Sequence, residues 1–494
     1  MPDAENAQKQ QAAPDALAFS LDDNIVQLRT LFDNSADLVV HRMTVGGQQI
    51  AIVACEGMVN LQAAAAALFP MLSGVERNLP SPAALRDLLR EALCLSLEQN
   101  ELRTLGELCT YIMSGFVVIV IDGVDSGFSM GLQGFNFRSI SEPSSENNVR
   151  GSREGFVEVL RINMTMVRRR IKSPSLTFEL MKAGKKSNTD ICLCYLHDMV
   201  SRDILRQIKT RIGKIPLDLV LESGFIQPFL QRRGFSLFPT VGNTERPDTV
   251  CAKINEGRVA ILVDGTPYAL IAPYLFIENF QNFDDYCQSP WYVSLTRLLR
   301  FFAFAFTILL PGLYVAAVSF HPDLIPQALL YNVVGADSST PFPILLEALV
   351  IHLVYELMME AGLRLPRPIG HAMSIVGALV IGDAIVKAGL VTSTMVTVVA
   401  LTAVSSFVVP SLYNAITMLR FVFILLGGLL GLHGIILGVF LLLVLVCRAD
   451  SFGIPYTAPL SPFRPQDMRD VFVRSSWRKL GRRTVNVDDM SKQR

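Results

Sequence analysis

The chain has 494 residues, of which 51% are hydrophobic and 18% charged, and its mean hydropathy is +0.39. This composition is too apolar for an ordinary soluble protein of such length, so it predicts that part of the chain lies in lipid. Because 44 basic residues balance 44 acidic ones, no bulk positive charge indicates a nucleic-acid partner.

The chain begins with a polar segment, residues 1–19, whose Gln, Ala and Asp content predicts a disordered start. This segment lacks the apolar core of a signal peptide, so we expect the region after it to stay in the cytoplasm. The eight cysteines include no CxxC pair. Their spacing is typical of core thiols in a reducing compartment, not of a disulfide or metal framework.

Two pairs of similar segments recur at nearly the same interval. Residues 50–59 resemble residues 191–200, and residues 117–124 resemble residues 259–266. The second pair consists of apolar strands that end in Asp-Gly, a turn signal. We therefore predict an α/β region of two tandem related subdomains, the first at 20–140 and the second, with its connector, at 141–290. Chance similarity between apolar runs is the alternative.

The connector between the subdomains becomes strongly basic. Its arginines include Arg150, Arg153, Arg168, Arg169 and Arg170. We predict that these arginines contact membrane lipids or a neighbouring subunit, because basic runs bind anionic headgroups and acidic surfaces. The alternative is a solvated helix face.

An all-α multi-span transmembrane domain is predicted at 291–447. Residues 301–320 carry no charge and are long enough to cross a hydrocarbon core of roughly 30 Å. Further apolar stretches lie at 342–360, 370–391, 394–412 and 421–447. The basic tail at 448–494 also favours the cytoplasm, which requires an even number of crossings. The five apolar stretches would give an odd number. The number becomes even if the last, glycine-rich stretch folds back near 432–434, or if another stretch is re-entrant.

One apolar stretch contains four ionisable side chains: Glu347, His352, Glu356 and Glu360. A charged acid near the membrane centre costs roughly 2.5–3.5 kcal/mol on insertion scales. His352, Glu356 and Glu360 share one helical face, and copies arranged around an axis would form acidic rings that favour cations. We therefore predict an ion pathway along these residues. The alternative is that the last two acids pair with Arg364 and Arg367 at the membrane interface while the histidine satisfies a buried acceptor.

A second pattern in the membrane half predicts close helix packing. Gly370, Ser374, Ala378 and Gly382 recur at every fourth position, as in small-residue faces between membrane helices. No Walker A loop, GxGxxG after a strand, GxSxG or paired metal motif is present. We therefore expect no enzyme activity, no cofactor and no metal site.

Several ordered motifs resemble a known family. They are residues 150–158 (RGSREGFVE), Asn163, residues 168–171 (RRRI), 238–240 (FPT), 244–248 (TERPD), 256–267 (EGRVAILVDGTP), 297–300 (RLLR), 341–343 (PFP), 360–366 (EAGLRLP), 375–382 (IVGALVIG) and 451–456 (SFGIPY). Together they are similar to the A subunits of the spore germinant receptors of endospore-forming bacteria, including their close paralogues.

The resemblance implies a location in the inner spore membrane, with both terminal regions cytoplasmic. It also implies a transporter-like B subunit and a lipoprotein C subunit as partners. The A subunit would form a homo-oligomeric ring that releases cations when a nutrient binds. A non-conducting scaffold of the receptor cluster and a secondary transporter are the alternatives. A transporter is expected to carry inverted repeats in its membrane half, whereas the repeat here lies in the soluble half.

Overall fold

The computed structural model of the chain describes residues 16–490 with several gaps. The gaps are 76–78, 94–97, 135–142, 144–145, 147, 149, 232–236, 328–329, 332–334, 336–339, 365–383, 464, 466 and 481–485. Two parts follow each other along the chain. We call residues 16–288, which form two β-sheets, the sheet region, and residues 290–448 the helical region.

The first half of the sheet region contains helices α1 (Leu21–Leu31), α2 (Leu61–Ser73), α3 (Pro82–Leu93) and α4 (Leu105–Met113) and strands β1 (Leu38–Val45), β2 (Gln48–Cys55), β3 (Gln99–Leu102), β4 (Val117–Ile121) and β5 (Gly127–Met130). The second half contains helices α5 (Leu160–Arg170), α6 (Arg202–Gly213), α7 (Ser223–Leu230) and α8 (Pro247–Ile254) and strands β6 (Leu176–Ala183), β7 (Thr189–Leu196), β8 (Gly242–Thr244), β9 (Val259–Val263) and β10 (Ala269–Ala272). The helical region contains α9 (Pro290–Phe320), α10 (Ile344–Arg364), α11 (Ser393–Ser406) and α12 (Tyr413–Arg448), and the short strands β11 (Asp450–Ser451) and β12 (Ile454–Pro455) follow it.

The two halves of the sheet region have the same architecture. Each runs through a helix, two strands, two helices, a strand, a helix and two strands. The strand orders, β1-β2-β4-β5-β3 and β6-β7-β9-β10-β8, are equivalent, and the pairings described within both sheets are antiparallel. The repeat predicted from the sequence is therefore visible in the fold, and chance similarity does not account for it.

Helices cover both faces of each sheet, which explains why the central strands are apolar throughout. Every residue of β4 and β9 is buried, as expected for strands covered on both sides. In the first half, α1 and α4 pack on one face and α2 and α3 on the other. In the second half, α5 and α8 pack on one face and α6 and α7 on the other. Each half is thus a three-layer α/β unit.

The two Asp-Gly pairs form the turns predicted from the sequence, and each also anchors a helix. β4 pairs with β5, and β9 with β10, across these turns. The Asp122 carboxylate accepts a hydrogen bond from the Leu21 N–H at 2.9 Å, and Asp264 accepts one from the Leu160 N–H at 3.0 Å. Each acid thereby satisfies a free donor at the start of α1 or α5, where the helix dipole favours negative charge.

The last apolar stretch, α12, is a hairpin of two arms. Gly431 has φ 62° and ψ −145°, a conformation that favours glycine, and it separates the arm 413–430 from the arm 432–448. A Cβ on Gly427 would lie 3.2 Å from Cδ1 of Ile435, although a straight helix would separate residues eight apart by about 12 Å. The chain therefore folds back at Gly431, which is one of the two outcomes that the sequence left open.

α9 packs against the hairpin at a point where only glycine fits. A Cβ on Gly312 would lie 2.5 Å from the carbonyl oxygen of Phe423, and a Cβ on Gly427 would lie even closer to the carbonyl oxygen of Gly312. Small residues permit such close backbone contact between membrane helices. Within the part of the chain that the structure describes, α9 and the helical segment Pro410–Arg448 are long and apolar enough to cross a membrane, judged by length and composition.

We call the end of the helical region that adjoins the sheet region the near end, and the opposite end the far end. α9 starts at the near end, and its last residue, Phe320, contacts Gly431, so the hairpin tip lies at the far end. Phe280 of the sheet region and Ala415 of α12 share one apolar core at the near end.

α10 and α11 both run from the far end to the near end. Leu345, at the start of α10, packs on Gly428 near the hairpin tip. Glu347 contacts Thr392, which precedes α11, and Ser406, the last residue of α11, lies beside the near half of α10. α10 therefore ends at the near end, and α11 starts at the far end.

The basic tail is folded onto the second half of the sheet region. Phe452, Ile454 and Met490 join the apolar core beneath α6 and α7. The Ser451 hydroxyl donates to the carbonyl oxygen of Thr240 at 2.6 Å. The tail thus lies on the same side of the helical region as the sheets.

Candidate functional site

α10 carries the four ionisable side chains that the sequence assigns to an ion pathway. Glu347 and His352 are completely buried, the Glu356 side chain is 19% exposed, and the Glu360 side chain is 58% exposed. The acids are therefore spread along the helix, from a dry far half to a solvated near end. The Leu, Ala and Met residues between them are strong helix formers, which supports this arrangement on one continuous helix.

Glu347 joins the far end of α10 to the start of α11. Its Oε1 accepts hydrogen bonds from the Thr392 N–H at 2.6 Å and the Thr392 hydroxyl at 2.7 Å. Thr392 is also the N-cap of α11, because its hydroxyl accepts from the Met395 N–H at 3.2 Å. The carboxylate therefore lies at a helix N-terminus, where negative charge is stabilised.

Glu356 is bound by the first arm of α12. Its Oε2 accepts from the Tyr413 hydroxyl at 2.8 Å, the Thr417 hydroxyl lies 3.5 Å from its Oε1, and Arg420 forms a salt bridge with that same oxygen. The Arg420 side chain is only 1% exposed. The Glu356 charge is thus balanced inside the chain by a partner that the sequence interpretation did not assign to it.

The other two groups on α10 have local partners. Nδ1 of His352 lies 3.0 Å from the carbonyl oxygen of Ala348, one turn earlier. Glu360 forms a salt bridge with Arg364 at 2.5 Å, and because both side chains are largely exposed this pair contributes little stability. The interfacial alternative predicted this pairing for Glu360; Arg367, its other predicted cation, lies outside the described residues.

The side of α10 that faces away from the rest of the chain is apolar. Its exposed residues are Leu346, Val350, Leu353 and Leu357, which follow one another at helical spacing. Glu347 and Glu356 consequently point toward α11 and α12 of their own chain, whereas Glu360 is open to solvent.

Arg168, predicted as a contact for lipid or a neighbouring subunit, is buried between the two halves of the sheet region. Its Nε and Nη2 donate to both carboxylate oxygens of Asp37, at 2.7 and 3.0 Å. Further donors reach the carbonyl oxygens of Ser173 at 3.0 Å and Leu176 at 2.8 Å. The guanidinium also lies over the ring of Phe178, 5.0 Å from its centroid. This placement leaves Arg168 no surface for an outside partner.

The neighbouring arginines lie closer to the surface. Arg169 donates to Glu154 at 2.5 Å, and Arg170 binds the same carboxylate. Although partial burial favours the neutral acid, the hydrogen bonds from these two arginines lower the pKa of Glu154. Arg150 and Arg153 are exposed, so they keep the surface that the predicted contact needs.

A charged cluster joins the base of α9 to the sheet region and to the tail. Asp285 accepts from Arg297 Nε at 2.9 Å and from both terminal nitrogens of Arg300 at 2.8 and 2.9 Å. Arg297 also donates to the Asp470 carboxylate of the tail at 2.8 Å. Arg297 is completely buried, so this cluster ties the base of α9 to the sheet region and to the tail.

A crevice of about 1490 Å³ lies between the second half of the sheet region, the base of α9, the start of α12 and the tail. Glu278 in its wall pairs with Arg258 at 2.7 Å and with Lys253. Although burial favours the neutral acid, these two positive charges lower the pKa of Glu278. On the same wall, burial raises the pKa of Glu146 to about 7 despite a hydrogen bond from the Thr244 hydroxyl at 2.6 Å.

The predicted packing face of Gly370, Ser374, Ala378 and Gly382 lies outside the described residues. Among the residues that are described, no group of three His, Cys, Asp or Glu side chains has a geometry able to hold a metal ion.

A family profile described as "Bacillus/Clostridium GerA spore germination protein" matches residues 26–486. The chain belongs to this family. The match spans both halves of the sheet region and the helical region, so it confirms the resemblance stated from the motifs. The GerA family comprises subunits of germination receptors and is not a known class of enzymes.

Individual GerA-family proteins match over most of their length. Spore germination protein KA of Bacillus subtilis (strain 168) is 38% identical over 492 residues, or 99% of this chain and 90% of the relative. An uncharacterized membrane protein of the same organism, YfkQ, is 38% identical over 94% of this chain and 90% of its own length. The crystal structure of the N-terminal domain of the A subunit of the Bacillus megaterium spore germinant receptor GerK3 is 32% identical, with a TM-score of 0.43, and covers 53% of this chain and 98% of that one.

In this GerA-family chain the sequence interpretation missed two charged partners. Arg420 was given no partner from the sequence, although it pairs with Glu356, 64 residues away. Asp285 was not singled out, although it binds two arginines of α9. A signal was available in both cases, because charges at the edge of an apolar helix must find partners when they are buried.

Proposed function

We propose that this chain is the membrane subunit of a spore germinant receptor and that copies of it assemble into a nutrient-gated cation-release channel. The observation that carries the proposal is that α10 holds two carboxylates, those of Glu347 and Glu356, inside a mainly apolar helical bundle. Acids are retained at such positions mainly where ions or protons pass, or as structural pairs. The described conformation is then the closed state, since Glu356 is neutralised by Arg420.

In this proposal the chain resides in the inner spore membrane, as the family resemblance implies, with both terminal regions in the cytoplasm; the arrangement of the helices supports a common side for the two regions. We count α9, α10, α11 and the two arms of α12 as five passages, and the apolar stretch that the sequence predicts at 370–391 would be the sixth. An even number places the sheet region and the tail on one side, where they pack together. The partners of this proposal are the transporter-like B subunit and the lipoprotein C subunit of the receptor.

A non-conducting scaffold is the second candidate. It is favoured by the internal pairing of Glu356 with Arg420 and of Glu360 with Arg364, because paired carboxylates attract cations weakly. In that case the helical region would anchor the receptor cluster, and another subunit would conduct.

One experiment separates these functions. Spores that carry this chain with its partner subunits, and no other receptor, are exposed to nutrient, and potassium release is followed with an ion-selective electrode. The variant Glu356→Gln/Glu360→Gln is expected to release potassium about tenfold more slowly, which corresponds to a barrier higher by about 1.4 kcal/mol. Asp203→Asn, an exposed acid on α6, serves as the control. An unchanged rate at equal protein level would refute conduction along α10 and favour the scaffold.

A further inference from the structure

Among the residues that the structure describes, the side-chain hydrogen bonds of Glu356 go to one element, the first arm of α12. Tyr413, Thr417 and Arg420 follow one another at helical spacing, so they share the face of that arm that meets α10. α10 lies at the edge of the chain, with an exposed apolar outer face. The Glu356–Arg420 pair is therefore the ionic contact that holds the near half of this peripheral helix to the hairpin.

The same contact is poorly satisfied. Nε and Nη1 of Arg420 have no hydrogen-bond partner among the residues that the structure describes, and neither has Nε2 of the buried His352 beside them. The Arg420 guanidinium otherwise lies over the ring of Tyr355, 5.5 Å from its centroid. A buried charge with unused donors is costly. If this contact served only to make the bundle rigid, we would expect those donors to be satisfied. If the two helices must separate during opening, unsatisfied donors are useful, because they keep the closed state only moderately stable.

The charges also oppose conduction while the pair is intact. A carboxylate bound to a guanidinium presents no net charge to a cation, and the buried guanidinium itself repels one. Any cation route that uses Glu356 therefore opens only after Arg420 is displaced from it.

We infer that Arg420 is the gating residue of the pathway: its contact with Glu356 holds α10 against the first arm of α12 in the closed state, and opening separates the two side chains. This inference rests on the proposed channel function. It adds a residue that acts through Glu356, and it places the gate between two helices of one chain.

The test measures potassium leakage from dormant spores without nutrient, and then release after nutrient is added. Arg420→Gln removes the positive charge and is expected to raise the nutrient-free leak at least tenfold. Arg206→Gln, an exposed arginine of the sheet region, is the matched control and should leave the leak unchanged. The double variant Glu356→Gln/Arg420→Gln should leak less than Arg420→Gln alone, because the uncovered carboxylate that attracts cations is gone.

A cross-link provides the second arm, which does not depend on the stability of Arg420→Gln. The pair Glu356→Cys/Arg420→Cys, which also lacks the carboxylate, is expected to leak at the slower rate of Glu356→Gln/Arg420→Gln. The leak should stop when a short cross-linker joins the two cysteines through disulfide bonds, and it should return after reduction. Suppose that neither Arg420→Gln nor the uncross-linked pair leaks potassium at normal protein levels, while nutrient still releases it. The proposed gating role of Arg420 is then wrong, but the proposed channel function is not contradicted. If the variant Glu356→Gln/Glu360→Gln releases potassium normally, the channel itself is wrong.

Discussion

The buried ion pair between the halves of the sheet region makes the sharpest stability prediction. Arg168→Met removes the guanidinium but keeps a side chain of similar length. Asp37 then retains one side-chain donor, the Ser35 hydroxyl at 2.5 Å, inside a site where its own side chain is 3% exposed. The variant therefore leaves a buried carboxylate without its counter-charge.

The expected loss follows from that burial. Removing one partner of a buried pair costs about 3–5 kcal/mol, a large part of the roughly 5–15 kcal/mol that stabilises a typical domain. Since a loss of 1 kcal/mol lowers the melting temperature of a 150–250-residue domain by about 2–4 °C, the sheet region should melt roughly 6–20 °C lower. Arg168→Met/Asp37→Leu should recover most of the loss, because replacing a buried pair by apolar residues is often neutral.

The assay is thermal unfolding of the purified full chain in detergent, combined with amide hydrogen exchange. Exchange supplies a local readout, because the Ala36 N–H donates to the Phe178 carbonyl at 2.8 Å and the Phe178 N–H donates to the Ser35 hydroxyl at 3.0 Å. Both amides should exchange faster in Arg168→Met. Arg206→Met is the control. If it lowers the melting temperature as much as Arg168→Met does, the buried pair is not what joins the two halves.

Three further predictions concern helix packing, pH and thiol reactivity. Gly312→Ala should destabilise the helical region by about 1–3 kcal/mol through overpacking. Gly362→Ala should not, because there is open space around that Cα. Equal melting temperatures of the two variants in detergent would contradict the close contact between α9 and α12. Burial raises the pKa of Glu146 to about 7, so the contribution of this side chain to stability is complete below its unfolded pKa near 4.5 and is lost as pH rises through 7. Between pH 5 and 8 the melting temperature of the wild type should therefore fall more steeply than that of Glu146→Gln. Parallel curves would contradict this prediction. Burial raises the pKa of Cys55 to about 12. A maleimide should therefore label the exposed Cys287 in the folded chain, but Cys55 only after unfolding. Similar labelling rates for the two thiols would show that the core around Cys55 is open to solvent.

Local patterns were sufficient to predict much of the fold. The repeated strands, the Asp-Gly turns and the glycine-rich reversal in the last apolar stretch all depend on neighbouring residues, and each appears in the structure. Charge partners were not predictable in the same way. Arg168 and Asp37 are 131 residues apart, and a basic run looks the same in the sequence whether its arginines face solvent or a second subdomain.

The candidate site illustrates the same limit. The sequence identified the acids on α10 because charge in an apolar stretch is a local signal, but it could not show which way they face. That direction depends on how α12 reverses and on where its first arm places Arg420. Helical periodicity groups side chains on one face of a helix, whereas tertiary packing decides what that face meets.

The docking of the tail on the sheet region has a consequence for biosynthesis. Met490 and Ile454 complete the core beneath α6 and α7, yet they are translated only after every helix of the bundle. The second α/β unit therefore leaves the ribosome with part of its interior missing and is finished only when the end of the chain returns from the membrane. A premature stop shortly after residue 448 should consequently harm a domain that was translated more than 150 residues earlier.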